Sequence, residues 1–180
     1  MLRLFAALPV PDTVADHIGR IACGLDGAKW SPRDNLHITL RFMGNVNERQ
    51  AEDIDAALDE VRFAPFDVEL GGVGFFGNDE PHAIWLGVKI NPTLLSLQKH
   101  CERACRKAGL EPDPRTYTPH VTICYLPRHF SVAHVISFQQ TNNLFTAPKW
   151  TADRFYLYAS RTQGSGPSRY SHEAEYPLVL

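Results

Sequence analysis

Apolar and polar positions along this chain switch repeatedly between a period of two and a period near 3.6. Over residues 2–8, Leu2, Leu4 and Ala6 alternate with Arg3, Phe5 and Ala7, which predicts a strand ended by Pro9 and Pro11. Val14, Ile18, Ile21 and Leu25 then recur at spacings of four, three and four. That spacing predicts one face of a helix, with Pro11 near its start and Gly27 near its end. A second strand is expected over 36–43. Asn47 and Gln50 resemble a variant capping box, ahead of a helix that buries Ile54, Ala57, Leu58 and Val61. Residues 66–70 and 82–88 read as strands flanking a glycine-rich loop, GGVGFFGNDEP (71–81). Asn91 and Pro92 suit the N-cap and first turn of a third helix. Its buried face is Leu94, Leu97, Cys101, Ala104, Cys105 and Ala108, and Gly109 fits its end. Residues 110–119 hold three prolines and read as a loop. Strand patterns return at 120–126, 153–159 and 172–179, while 127–150 carries no clear period. Strands and helices mix without strict alternation, so the fold class expected is α+β with antiparallel sheet. No Gly-, Pro- or Ser-rich linker divides residues 1–180, so one domain, with room for two small lobes, is expected.

Composition narrows the classes of function. The chain has 180 residues, 44% hydrophobic and 21% charged, which suits a globular protein and excludes disorder. A net charge of −2 argues against a protein that grips long nucleic acid by bulk electrostatics, but not against one that recognises a single phosphate. No apolar run approaches the ~20 residues that span a bilayer. The N-terminus reads as a strand and not a signal peptide, because Asp12 follows its short apolar stretch. Cys23, Cys101, Cys105 and Cys124 form no CxxC pair. Without an export signal or disulfide framework, a cytoplasmic location with no membrane association is expected. The glycine-rich stretch lacks the Lys-Ser/Thr and following helix of a phosphate-binding P-loop.

The candidate chemistry sits in two short segments, LHITLRFMG (36–44) and PHVTICYLP (119–127). They align as His37/His120, Thr39/Thr122 and Phe42/Tyr125, with the histidines 83 positions apart, close to half the chain. In regular strands, Leu36, Ile38, Leu40 and Phe42 share one face, and His37, Thr39 and Arg41 the other. Likewise Val121, Ile123 and Tyr125 share one face, and His120, Thr122 and Cys124 the other. If the strands lie side by side, two imidazoles and two hydroxyls converge on one cleft. Two histidines can divide acid and base work at a phosphodiester, because imidazole's ordinary pKa of about 6.5 lies near working pH. Thr39 and Thr122 would donate to phosphate oxygens, and Arg41, if its strand stays regular, would add positive charge. No metal is required. A zinc site would need at least three ligands, and only Asp34 lies within four residues of His37 and no Asp, Glu or further His within four of His120. Cys124, at i+4 from His120, is too far along a strand to act with it as a nucleophile.

HITL (37–40) and HVTI (120–123) resemble the paired His-x-Thr-x motifs of the two-histidine (2H) phosphoesterase superfamily. RLFAALPVPD (3–12), NLHITLRFMGNV (35–46), TPHVTI (118–123) and FYLYASRTQGSGPSRYSHEAEYPL (155–178) resemble its bacterial and archaeal branch. That is the RNA 2′,3′-cyclic phosphodiesterase or LigT-like 2′-5′ RNA ligase family. The resemblance covers nearly the whole chain. It implies two pseudo-symmetric α+β lobes whose antiparallel sheets line a central cleft, with helices outside. It also implies metal-independent hydrolysis of RNA 2′,3′-cyclic phosphate ends to 2′-phosphomonoesters, with no cofactor; a monomer is expected. His37 would be the proton donor to the leaving 3′ oxygen and His120 the acceptor that activates water, with Thr39 and Thr122 holding the phosphate. The family is further associated with reversible 2′-5′ joining of tRNA halves. One departure stands out. Many members follow the second motif with Ala-Arg, where this chain has Cys124 and Tyr125, leaving Arg41, Arg128 or another arginine to supply the cation. Trp30, Phe76 and Tyr125 are candidates for stacking on a base. Two other readings of the same cleft are a non-catalytic RNA-end or nucleotide-binding module and a phosphodiesterase of small cyclic nucleotides.

Overall fold

A computed structural model describes residues 2–161 and 168–179; residues 162–167, inside the C-terminal stretch quoted above, lie outside the described residues. In chain order the elements are β1 (Leu2–Pro9), α1 (Asp12–Ile21), β2 (Lys29–Trp30), β3 (His37–Val46), α2 (Glu48–Asp59), β4 (Phe66–Val68) and β5 (Leu70–Phe76). There follow β6 (Ala83–Val88), α3 (Pro92–Lys107), β7 (His120–Tyr125), α4 (Val132–Asn142), β8 (Trp150–Ala152), β9 (Arg154–Arg161) and β10 (Arg169–Pro177).

The main sheet runs β10-β9-β1-β3-β7-β6-β5, with β2 also on β7, and its pairings are antiparallel. The order is palindromic. β1-α1-β3-α2-β4-β5 corresponds to β6-α3-β7-α4-β8-β9, and the last strand of each repeat joins the first strand of the other (β5 on β6, β9 on β1). Two pairings fall on the pseudo-twofold axis: β4 with β8, and β3 with β7 through the single register pair Ile38↔Val121. The two lobes therefore meet within the main sheet at that contact, one half of the strands to each side. The expected α+β fold with two pseudo-symmetric lobes is what the chain adopts.

Local chemistry explains most elements. Asn47 caps α2 by accepting from the Gln50 amide (2.8 Å), and Asn91 caps α3 by accepting from the Leu94 amide (3.0 Å). The helices bury most of the expected faces, with Val61 buried just past the end of α2 and Ala108 partly buried at the cap of α3, and Cys101 and Cys105 lie in the core.

Three expectations need correction. First, α1 stops at Ile21: its cap residue Ala22 leaves the helical region (φ −77°, ψ 59°), Gly24 follows with a left-handed φ of +81°, and Leu25 is buried from the turn beyond. Second, the glycine-rich stretch is mostly strand. Residues 70–76 pair with β6, and Gly74 lies beneath the Trp85 indole, where a Cβ would come within 2.2 Å of the ring. Third, the unreadable region 127–150 contains α4, which buries only Val135 and Phe138 and so shows almost no helical period.

Candidate active site

Both motif strands begin on their histidine, and both hold it in the same way. His37 Nδ1 donates to the Asn35 carbonyl (2.6 Å), and His120 Nδ1 donates to the Thr118 carbonyl (2.7 Å). A carbonyl only accepts, so in each neutral ring Nδ1 carries the proton and Nε2 is the basic nitrogen. His37 Nε2 meets Thr39 Oγ1 at 3.1 Å. The threonine backbones are buttressed in parallel fashion: Tyr117 Oη donates to the Thr39 carbonyl and Ser31 Oγ to the Thr122 carbonyl, both at 3.0 Å. With Ile38 opposite Val121, antiparallel alternation sets His37 across from Thr122 and His120 across from Thr39. The four expected side chains thus come together on one cleft face, between the lobes.

Beyond the threonines neither strand stays regular. β1 pairs Ala7 with Thr39 and Ala6 with Arg41, so Leu40 is an extra residue. β6 pairs Trp85 with Thr122 and Ile84 with Cys124, so Ile123 is extra at the equivalent place. Each bulge flips the alternation. The next residues, Arg41 (7% exposed) and Cys124 (fully buried), turn into the core, and Phe42 and Tyr125 turn toward the cleft.

Arg41 is therefore not a cleft residue, contrary to the regular-strand expectation. Its guanidinium is ion-paired with Glu102 of α3 and with Asp113 (3.5 Å), and it donates to the carbonyls of Glu111 (2.6 Å) and Phe42 (2.7 Å). It ties β3 to the loop that carries Tyr117 and Thr118, and so links the two motifs structurally. Cys124 is a core thiol that burial pushes up to about 11. Arg128 lies in the exposed turn after β7.

Aromatic rings back each imidazole. Phe5 lies 4.8 Å and Tyr170 5.5 Å from His37 between centroids, with Tyr158 at 6.1 Å. Phe76 lies 5.0 Å and Trp85 5.9 Å from His120. Of the stacking candidates, Phe76 and Tyr125 line the cleft, whereas Trp30 packs against Phe138 at 5.9 Å. Phe5, Trp85, Tyr158 and Tyr170 escaped the motif reading. For Phe5 the signal was the period of β1, which puts Arg3, Phe5 and Ala7 on one face. Burial pushes the His37 pKa down to about 4, assisted by the charge of His120 and opposed by the Asn35 carbonyl. Burial lowers His120 as well, against the Thr118 carbonyl. Among the described residues no cluster of three or more His, Cys, Asp or Glu side chains could hold a metal ion. A shallow cavity of about 620 Å³ between α1 and α4 includes none of the motif residues.

An α+β sheet pair with a His-x-Thr motif on each central strand defines a two-histidine phosphoesterase architecture. Residues 10–164 match the family model of the 2′-5′ RNA ligase superfamily, and the chain belongs to that superfamily. It is 35% identical over 126 residues to the RNA 2′,3′-cyclic phosphodiesterase of Archaeoglobus fulgidus, covering 68% of this chain and 71% of the relative. It is 33% identical over 129 residues to the enzyme of that name from Methanothermobacter thermautotrophicus, covering 68% and 70%. The fold matches E. coli LigT solved with 3′-AMP, at a TM-score of 0.81, 22% identity and 99% coverage of both chains. It also matches TT0787 of Thermus thermophilus, at a TM-score of 0.77 and 21% identity over 98% and 97% of the chains.

Proposed function

We propose that this protein hydrolyses 2′,3′-cyclic phosphate ends of RNA to 2′-phosphomonoesters, using His37 and His120 as an acid–base pair and no metal. The observation that carries the reading is the matched pair of imidazoles, each pinned at Nδ1 by the carbonyl two residues earlier, with Nε2 left for chemistry. The names of the relatives support the substrate class.

In this mechanism His120 Nε2 takes a proton from a water molecule as its oxygen attacks phosphorus. The P–O3′ bond breaks, and His37 Nε2–H gives its proton to the leaving 3′ oxygen. The phosphate stays on the 2′ oxygen. Thr39 and Thr122 donate to the non-bridging oxygens, where negative charge grows. A 5′-hydroxyl in place of water yields a 2′-5′ linkage by the same displacement, which supports reversible ligation of tRNA halves as a second outcome. His37 is neutral in the free protein at pH 7, so the donor must gain its proton with the substrate. An anion about 4 Å away in an effective dielectric of 20 is worth about 4 kcal/mol. That is about 3 pKa units, enough to bring His37 from about 4 to near neutrality. The two histidines then share one proton, and the limbs of a bell-shaped pH profile belong to the pair. The described helices include none long and apolar enough to cross a membrane. The reading adds a monomer working in the cytoplasm, with residues 1–180 as one two-lobed domain.

The test is turnover of an RNA with a 2′,3′-cyclic phosphate end, in EDTA, by the intact protein and by His37→Ala and His120→Ala. Each variant is expected to lose on the order of 10²–10⁴-fold in kcat. Full activity in either variant contradicts the assigned pair.

A further inference from the structure

The bulges leave the cleft mouth asymmetric. In one lobe Phe42 faces the cleft, and Arg3 lies on it with its guanidinium carbon 5.2 Å from the ring centroid. In the other lobe the equivalent position holds Tyr125, which is 51% exposed. Arg3 shares a face of β1 with Phe5, the ring packed on His37, and lies two residues farther out, about 7 Å along the strand.

Four other arginines are committed to carboxylates: Arg33 to Asp12 and Asp16, Arg41 to Glu102, Arg115 to Asp113 and Arg154 to Glu175. Arg3 is exposed, and no carboxylate of the described residues lies within ion-pair distance of it. It lies close enough to Tyr125 and Tyr170 for its charge to act on both hydroxyls. A guanidinium resting on an aromatic face keeps the N–H groups at its edge free to donate to an anion. The site thus presents a fixed cation on one wall and a phenol on the other, one step out from the histidines.

At an RNA end whose terminal phosphate is cyclised and held by the histidines, the nearest other anion is the phosphodiester on the 5′ side of the terminal ribose. We infer that Arg3, seated on Phe42 and faced by Tyr125, binds that phosphodiester, so that the cleft selects RNA ends of two or more nucleotides over cyclic mononucleotides. This rests on the function proposed above. It also gives Tyr125 a role: the cation comes from β1 and the hydroxyl from β7.

The test compares kcat/KM for a dinucleotide ending in a 2′,3′-cyclic phosphate with that for the corresponding cyclic mononucleotide. The measurement uses the wild type, Arg3→Gln, Arg3→Lys and Tyr125→Phe. The wild type should prefer the dinucleotide. Arg3→Gln, which keeps an aliphatic stem on Phe42, should lower the dinucleotide-to-mononucleotide ratio about tenfold, equivalent to about 1.4 kcal/mol. It should also flatten the salt dependence on the dinucleotide by about 0.7 in log–log slope, the value for one lost single-strand phosphate contact. Arg3→Lys should retain part of the preference, and Tyr125→Phe should lose two- to threefold. A wild-type ratio near one, or equal losses on both substrates in Arg3→Gln, overturns the subsite while leaving the phosphodiesterase intact. Absence of wild-type turnover on both substrates instead overturns the function on which the subsite rests. Circular dichroism and Tm separate these results from misfolding; Arg3 is exposed, so both should match the wild type.

Discussion

Leu40 and Ile123 occupy the same place in the two motif strands: each is the extra residue of a β-bulge one position after the motif threonine. The duplication in the sequence is therefore matched by a duplicated irregularity in the backbone. The bulges keep histidine and threonine on the cleft face while sending Arg41 and Cys124 inward and Phe42 and Tyr125 outward. A bulge re-aims every side chain beyond it, because a one-residue shift exchanges the two faces of a strand.

Thiol reactivity tests the bulge in β7. Cys23 is exposed, whereas Cys101, Cys105 and Cys124 are buried. Burial pushes Cys105 up to about 12 and Cys124 to about 11. Native protein should react with one equivalent of a thiol reagent, at Cys23, and the other three should appear only on denaturation. Rapid labelling of Cys124 in the native state contradicts the bulge, since a regular strand would turn that thiol to the cleft face that carries His120 and Thr122.

Arg41 should be a stability residue. Replacing it with Ala takes the partner from Glu102, whose side chain is 19% exposed, a loss at the low end of that for a buried pair, about 3 kcal/mol. Urea denaturation should show that loss, and Arg41→Met combined with Glu102→Leu should recover much of it. The folded fraction of a single variant should keep a kcat far above that of His37→Ala. A kcat collapse with unchanged stability would place Arg41 at the phosphate after all.

His37 should make stability and anion binding depend on pH in opposite directions. Its pKa is about 4 in the folded protein and about 6.5 unfolded, so below pH 6.5 the unfolded chain binds a proton that the folded one refuses. The stability it contributes is complete above 6.5 and falls as pH drops toward 4, by about 2.5 kcal/mol at pH 4.5. His37→Gln should flatten that part of the curve. Phosphate binding reverses the preference, so affinity should rise as pH falls from 7 to 5, with proton uptake measurable by calorimetry in buffers of different ionisation enthalpy. An ¹⁵N titration placing the free His37 pKa above 6 contradicts this account.

Gly74 should tolerate no side chain. An added Cβ meets the Trp85 ring, which packs beside His120. Gly74→Ala should cost about 1–3 kcal/mol, shift Trp85 fluorescence and lower kcat. Trp85→Leu in the same chain should restore stability but not activity. Unchanged fluorescence and activity in Gly74→Ala argue against this seat for the indole.

Much of this could be read in the chain because it rests on local rules. Asn47 and Asn91 announce helix starts by their own side-chain bonds. The period of α3 marks its buried face, and the two His-x-Thr segments declare themselves by repetition. What could not be read depends on partners distant in sequence. Gly74 signals a loop until Trp85 is known to lie over it. Arg41 sits on the cleft face of an ideal strand, and only its pairing with β1 and the acids of α3 and the 110–119 loop turns it inward. α4 shows two buried residues in eleven, too few to reveal a period. Arg3 was hidden because its partners, Phe42 and Tyr125, face the cleft only after the bulges.

³¹P NMR of the product reads directly which oxygen keeps the phosphate. Intact protein in EDTA, given an oligoribonucleotide with a 2′,3′-cyclic phosphate end, should yield the 2′-phosphomonoester alone, and His37→Ala and His120→Ala should each leave the cyclic ester standing. A 3′-phosphate product, a requirement for added metal, or unchanged turnover in either histidine variant contradicts the account.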